Sequence, residues 1–387
     1  MSKKQFSFGL IYILIFLISI ANAIAGYIQS SYLEKFMTLS NIGLFLAIIS
    51  ILTMLVALIQ PKAIIRYTNY RVSLALSLLI IISSIFLSFS TIPWIVIASF
   101  IIRYLGIIFL WISFDIFLEN ISSNQKTGRI RTKYMTVINL AWAVSPMLTG
   151  YIVGEANEYH KIFLVSAVIF IPVFFFLLSQ RKKLITHVRY PKYSPLKSIW
   201  KITKNKDILA IFNASLTLNI FYALATFYIP IYLHQTIGLS WQSIGVIFTI
   251  MLLPFLIVEI PAGYLADKYL GEKEMLIAGN IIMAFSVLIM YLFKVDYVIF
   301  WAIILFLSRI GAALAESMQE SYFYKKIDAE DVDVINLFRQ SIPLGQLIMA
   351  IAGFIILKFV GIEYLFLSMA IIFIFNIINI VTIRDTK

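Results

Sequence analysis

Apolar residues along this chain come in runs of about twenty, a length that crosses a hydrocarbon core as helix. The runs cover 8–30, 41–60, 72–90, 93–118, 134–153, 161–179, 208–233, 241–262, 275–293, 297–322, 333–357 and 361–383, each closed by charge, proline, glycine or asparagine. A helix in lipid closes its own backbone hydrogen bonds, so long unalternating runs predict helices rather than a barrel. The expected class is an all-α integral membrane protein with twelve transmembrane helices. The longest polar segment, 180–207, leaves six spans on either side. That predicts one six-helix bundle over 1–180, a basic linker over 181–207 and a second bundle over 208–387.

Composition points the same way. Hydrophobic residues fill 61% of the 387 positions, charged residues 13%, and the mean hydropathy is +0.95. The absence of cysteine excludes disulfides, thiol catalysis and thiolate metal sites. His160, His187 and His234 lie far apart with no ligand-like spacing. No phosphate-binding glycine loop, serine nucleophile elbow or His-Glu-x-x-His stands in the chain, so neither an enzyme, a cofactor, a metal site nor ATP-driven transport is expected. Lys3 and Lys4 before an apolar run that ends near Ala21-Asn22-Ala23 resemble a signal peptide with its cleavage site. The run is too long for that, and its removal would leave the first half one helix short, so it is read as a retained first span.

The net charge of +12 is arranged by side. With the N-terminus inside, twenty-four Lys and Arg fall on inner segments, and only Lys35, Lys161, Lys294 and Lys358 on outer loops. This is the positive-inside signature and places both termini in the cytoplasm. Contact with anionic membrane lipid is a secondary effect of the same charge. A nucleic-acid partner is not expected.

The halves repeat each other. Val137-Ile138-Asn139-Leu140 with Pro146 recurs as Val334-Ile335-Asn336-Leu337 with Pro343, and Ile42-Gly43 and Arg66-Tyr67 recur 202 residues later as Ile244-Gly245 and Lys268-Tyr269. Span four carries Arg103, Gly106, Asp115 and Glu119; span ten carries Arg309, Gly311, Glu316 and Glu320. Tandem membrane repeats place a substrate site near the midplane, where the halves meet.

Between spans eight and nine stands Gly263-Tyr264-Leu265-Ala266-Asp267-Lys268-Tyr269-Leu270-Gly271-Glu272-Lys273. Glycines permit a tight inner turn there, and the cations face the inner surface. This segment resembles the signature loop of the major facilitator superfamily, Gly-x-Leu-Ala-Asp-basic-x-Gly-basic-basic, with Leu270 inserted. The first-half copy is degraded: Pro61, Ile65 and Thr68 replace its Gly, Asp and Gly, while Arg66 and Arg71 keep the basic character. The resemblance extends over the chain and implies two pseudo-symmetric bundles that alternate access around a central cavity. It also implies an inner lock in which Asp267 meets the start of span five near Arg131 and Lys133. Arg66 or Arg71 is then expected to pair with Asp331, Asp333 or Glu119. Ser145-Pro146-Met147-Leu148-Thr149-Gly150 in span five resembles the Gly-Pro-x-x-Gly-Gly element of the family's antiporters; it equally suits a proline-kinked packing helix.

Ionisable groups inside a span usually face a cavity or a partner. Arg103 and Arg309 lie at matching depth in the two halves, which suits either an anion clamp or a guanidinium tied to helix carbonyls or a nearby acid. Seven residues separate Arg309 from Glu316 and four separate Glu316 from Glu320, so the three share one helix face. Glu316 is the candidate proton-coupling acid; the alternative is a static pair with Arg309 or Arg339. Asp115, Glu119 and Glu320 are candidates for the inner gate, with Gly263, Asp267, Lys268, Gly271, Arg66, Arg71 and Arg131. Because the family lines its cavity with spans one, four, seven and ten, the resemblance adds Asn22, Gln29, Asn219, Tyr222 and Thr226 to the pathway, and Arg339 lies at the inner vestibule. The expected function is secondary active transport of a small molecule across the cytoplasmic membrane by a monomer, as proton-coupled efflux of an amphipathic or anionic solute. Proton-coupled uptake of a nutrient or organic anion is the alternative, followed by a membrane enzyme or a transport-inactive sensor.

Overall fold

The computed structural model describes residues 8–121, 127–180, 202–327 and 332–384. Among them, twelve helices are long and apolar enough to cross a membrane. Their bounds follow the apolar runs to within a few residues in most places. Span eight is the main departure, reaching Leu270 rather than ending near residue 262. The run of span eleven is also broken, into Val332–Arg339 and Ser341–Phe359. The linker 181–201 lies outside the described residues.

The helices form two compact units. The first comprises Met1–Tyr32, Leu52–Pro191 and Ser240–Gly245; the second comprises Leu33–Ile51, Lys192–Leu239 and Val246–Lys387. In the first, span one packs on spans four, five and six, and span three on spans four and six. In the second, span seven packs on spans ten, eleven and twelve, and span nine on spans ten and twelve. Each pairing in one unit becomes its counterpart in the other when six spans are added, so the repeated motifs correspond to a repeated packing scheme.

The repeated Ile-Gly dipeptides mark close helix crossings. In the second unit, a Cβ on Gly43 would stand 2.8 Å from the Ala350 carbonyl oxygen of span eleven. In the first, a Cβ on Gly245 would stand 2.5 Å from the Pro146 carbonyl oxygen of span five. Small residues at such positions let membrane helices approach through their backbones. Polar side chains add to this inside each unit: Asn376 of span twelve donates to Asn280 Oδ1 of span nine at 2.8 Å.

Candidate functional site

The polar residues of the second unit gather around a small open cavity. Asn219 and Tyr222 come from span seven, Glu316, Gln319 and Glu320 from span ten, and Arg339 from the short helix that opens span eleven. Span ten is a continuous helix over Val298–Lys326, so the spacing of Glu316, Gln319 and Glu320 puts all three on one stripe. Tyr222 donates its hydroxyl to Glu316 Oε2 at 2.5 Å. Among the described residues, the second oxygen of Glu316 accepts no hydrogen bond from the protein.

Arg309 is 4% exposed, with its guanidinium carbon 4.9 Å from the Phe221 ring centre and 5.3 Å from that of Tyr222. Both aromatic faces lie against the cation. Asn219 is fixed by two donations from Nδ2, to the Ser215 carbonyl at 2.9 Å and to Ser341 Oγ at 3.2 Å, so its amide oxygen is oriented by the packing of span seven on span eleven. Thr226 is half-buried one turn beyond Tyr222, outside the cavity lining.

Two members of this group were not expected from sequence. Glu259 lies in span eight, close enough to Glu316 and Glu320 to interact with both through space. An acid between Pro254 and Pro261 inside an apolar run was the available signal. Gln319 carries no charge and stands beside a more conspicuous acid, so nothing in the pattern singled it out.

The first unit treats its arginine differently. Arg103 is 6% exposed, and its Nη2 donates to the Ala21 carbonyl of span one and to Ser166 Oγ of span six, each at 3.0 Å. Ser166 Oγ also donates to the Ala21 carbonyl, at 2.9 Å, and the guanidinium lies 5.4 Å from the Phe163 ring. Three spans are tied at one carbonyl. Asn22 is half-buried beside it and Gln29 is buried. Arg103→Ala is expected to cost on the order of 3 kcal/mol from the loss of two charge-assisted hydrogen bonds. A fall in melting temperature in detergent at unchanged cargo affinity would show this; a selective loss of anion binding at an unchanged melting temperature would contradict it.

The span-five element also makes packing contacts. Ser145 Oγ donates to the Ala141 carbonyl at 2.6 Å, and Thr149 Oγ1 bonds the Ile24 and Ser145 carbonyls at 2.8 and 2.9 Å.

The signature segment is folded more tightly than a loop. Gly263 lies within helix Glu259–Leu265, and Ala266–Leu270 continues it as a π-helical turn closed by Gly271 N donating to the Ala266 carbonyl at 3.0 Å. A π turn holds one residue more than an α turn, which accommodates the inserted Leu270. The chain reverses only at Gly271, whose φ of 93° suits glycine. Lys268 Nζ bonds Tyr264 Oη at 2.7 Å, and Tyr269 also lies against this ammonium. Arg66 is exposed with its guanidinium over the Tyr67 ring, Arg71 is exposed beside the Thr68 cap, and Asp115 is half-buried on span four. Asp331 and the side chains of Glu119, Arg131, Asp267 and Asp333 lie outside the described residues.

The sequence matches the Major Facilitator Superfamily over residues 11–330 and 238–387. The chain belongs to the major facilitator superfamily. Its twelve apolar helices make it a multi-pass membrane protein, a transporter of small molecules rather than an enzyme. No curated protein matches it. Among solved structures, a bacterial homologue of the iron transporter ferroportin in an inward-facing state is similar at TM-score 0.73 and 14% identity, with 97% of each chain covered. A bacterial metal transporter is similar at 0.70 and 14%, again over 97% of each chain. A POT family transporter in complex with 5-aminolevulinic acid is similar at 0.78 and 13%, over 97% of this chain and 95% of that one. At such identities the likeness shows the fold alone.

Proposed function

We propose that this superfamily member is a proton-coupled exporter of the cytoplasmic membrane. In this reading two bundles, 1–180 and 208–387, rock around a central pathway, both termini face the cytoplasm, and Glu316 carries the proton. The observation that carries it is the Glu316 carboxylate in a membrane-spanning helix, held by Tyr222 at one oxygen and open to the cavity at the other. A carboxyl in that setting exchanges a proton with the cavity while its position stays fixed. Arg309 stands nearby against the Phe221 and Tyr222 rings, and Arg339 lines the same cavity. The Ser145–Gly150 element, with its resemblance to the antiporter pattern, favours export over uptake.

Reconstituted vesicles test both coupling and direction. One pH unit is worth about 1.4 kcal/mol per proton, enough to sustain a roughly tenfold solute gradient at one-to-one exchange. An acidic lumen is expected to drive labelled solute into the vesicles, and a protonophore to abolish its accumulation. Uptake driven only by an acidic exterior would assign symport instead. Flux indifferent to either gradient would remove proton coupling altogether.

A further inference from the structure

Past span twelve the chain stays against the second unit. The helix ends at Val381, and Thr382 and Ile383 still turn, their amides donating to the Asn379 and Ile380 carbonyls at 3.2 and 3.1 Å. Ile383 is 2% exposed, so an apolar side chain is buried just beyond the helix end. Its carbonyl accepts from Nζ of Lys273, at the start of span nine, at 2.9 Å. Arg384 is gripped from two further spans. Tyr322 of span ten donates its hydroxyl to the Arg384 carbonyl at 2.7 Å. The Arg384 amide donates to Oδ1 of Asp207, at the start of span seven, at 3.3 Å.

Spans seven and ten are opposing walls of the cavity described above, with Ser215 and Asn219 on the first and Glu320 and Tyr324 on the second. Two pairs of spans are tied separately at this end of the unit. Asn379 Nδ2 donates to the Ala210 carbonyl at 3.0 Å, joining span twelve to span seven. Buried Glu272 accepts from Ser321 Oγ at 3.0 Å and pairs with Lys325, joining span nine to span ten. Ile383 and Arg384 connect one pair to the other, and Arg384 bridges the two cavity walls through backbone atoms alone. Hydrogen bonds contribute modestly once exchange with water is counted, so a bridge made of a few can open while the helices stay folded.

We propose that Ile383 and Arg384 form a clamp that holds spans seven and ten together at this end, and that its release opens the cavity to solvent. The clamp takes hold of main-chain groups, so the side chain at position 384 does not matter to it but the N–H does. It is independent of which ion drives transport.

Thiol labelling of the purified full-length protein tests this. The chain contains no cysteine, so Ser215→Cys introduces the only reactive thiol. Ser215 lines the cavity and is 2% exposed, so its alkylation by N-ethylmaleimide reads how often the cavity opens. Arg384→Pro removes the N–H and is expected to speed that alkylation about tenfold, the weight of one hydrogen bond in an opening equilibrium. Tyr322→Phe removes one hydroxyl and should act in the same direction, and it decides the matter alone if the proline prevents folding. Arg384→Ala keeps both main-chain bonds and should leave the rate unchanged. Ser77→Cys, fully buried in the first unit, is the control thiol and should respond to none of these changes. Wild-type rates at Ser215→Cys in both Arg384→Pro and Tyr322→Phe would overturn the clamp. So would equal acceleration at Ser77→Cys, which reports general loosening rather than an opened cavity.

Discussion

Glu316→Gln is expected to collapse the steady-state solute ratio across reconstituted vesicles from about tenfold per pH unit to about one. The substitution keeps the shape of the side chain, and its amide oxygen still accepts from the Tyr222 hydroxyl, so the packing of span seven on span ten is retained. What disappears is the only step at which this residue takes up and releases a proton. Solute should still equilibrate, and exchange of labelled for unlabelled solute should persist, because neither draws on the pH gradient. Vesicles holding this variant would therefore reach equal concentrations inside and out under a gradient that loads the wild type. Accumulation that survives with its pH dependence intact would remove Glu316 from the coupling path and place the proton on Glu259 or Glu320, the neighbouring carboxylates.

The second large effect concerns the fold rather than the cycle. Gly311→Val is expected to prevent spans nine and ten from closing, because their backbones meet there. A Cβ at Gly311 would stand 2.5 Å from the Gly279 carbonyl oxygen and 3.1 Å from the Met283 nitrogen. The reciprocal Cβ at Gly279 would stand 2.6 Å from the Gly311 carbonyl oxygen. Backbone atoms cannot swing aside as a side-chain tip can, so the helices must separate. Overpacking of a tight core costs about 1–3 kcal/mol and sometimes more, and here it also strains the nearby Asn280–Asn376 hydrogen bond. Loss of the monodisperse peak in size-exclusion chromatography, or a large fall in melting temperature, is the expected result. An unchanged melting temperature would show that the crossing opens without cost. Glu316 stands five residues along the same helix, so any variant that survives should also have altered coupling.

Much of the site was visible before any contact was known. The spacing of Arg309, Glu316 and Glu320 places them on one face of span ten, the family's helix order points to Asn219 and Tyr222, and the position of Arg339 near the inner end of span eleven puts it at the vestibule. The cavity brings all of these except Arg309 to one lining, with Arg309 behind it against Phe221 and Tyr222. The partner of each group was not visible. That Tyr222 holds Glu316, and that Arg103 is engaged by Ala21 and Ser166, depends on residues 94, 82 and 63 positions apart.

What the sequence determined by itself is the number of spans, their approximate bounds, the repeated motifs and the unequal charge of alternate loops. Each follows from a property that a single segment expresses alone: enough apolar length to cross lipid, or a cation unable to stay within it. The tertiary structure decided which face of each helix turns inward. In a soluble protein the apolar stripe would have given that away, but lipid is as apolar as leucine, so buried and lipid-facing positions draw on the same residues. Ile303 is 52% exposed and Leu305, two residues on, is fully buried, with nothing in their chemistry to separate them. Glu259 and Gln319 entered the site for that reason alone: the rotation of spans eight and ten about their axes, set by contact with neighbouring helices, turns them toward Glu316.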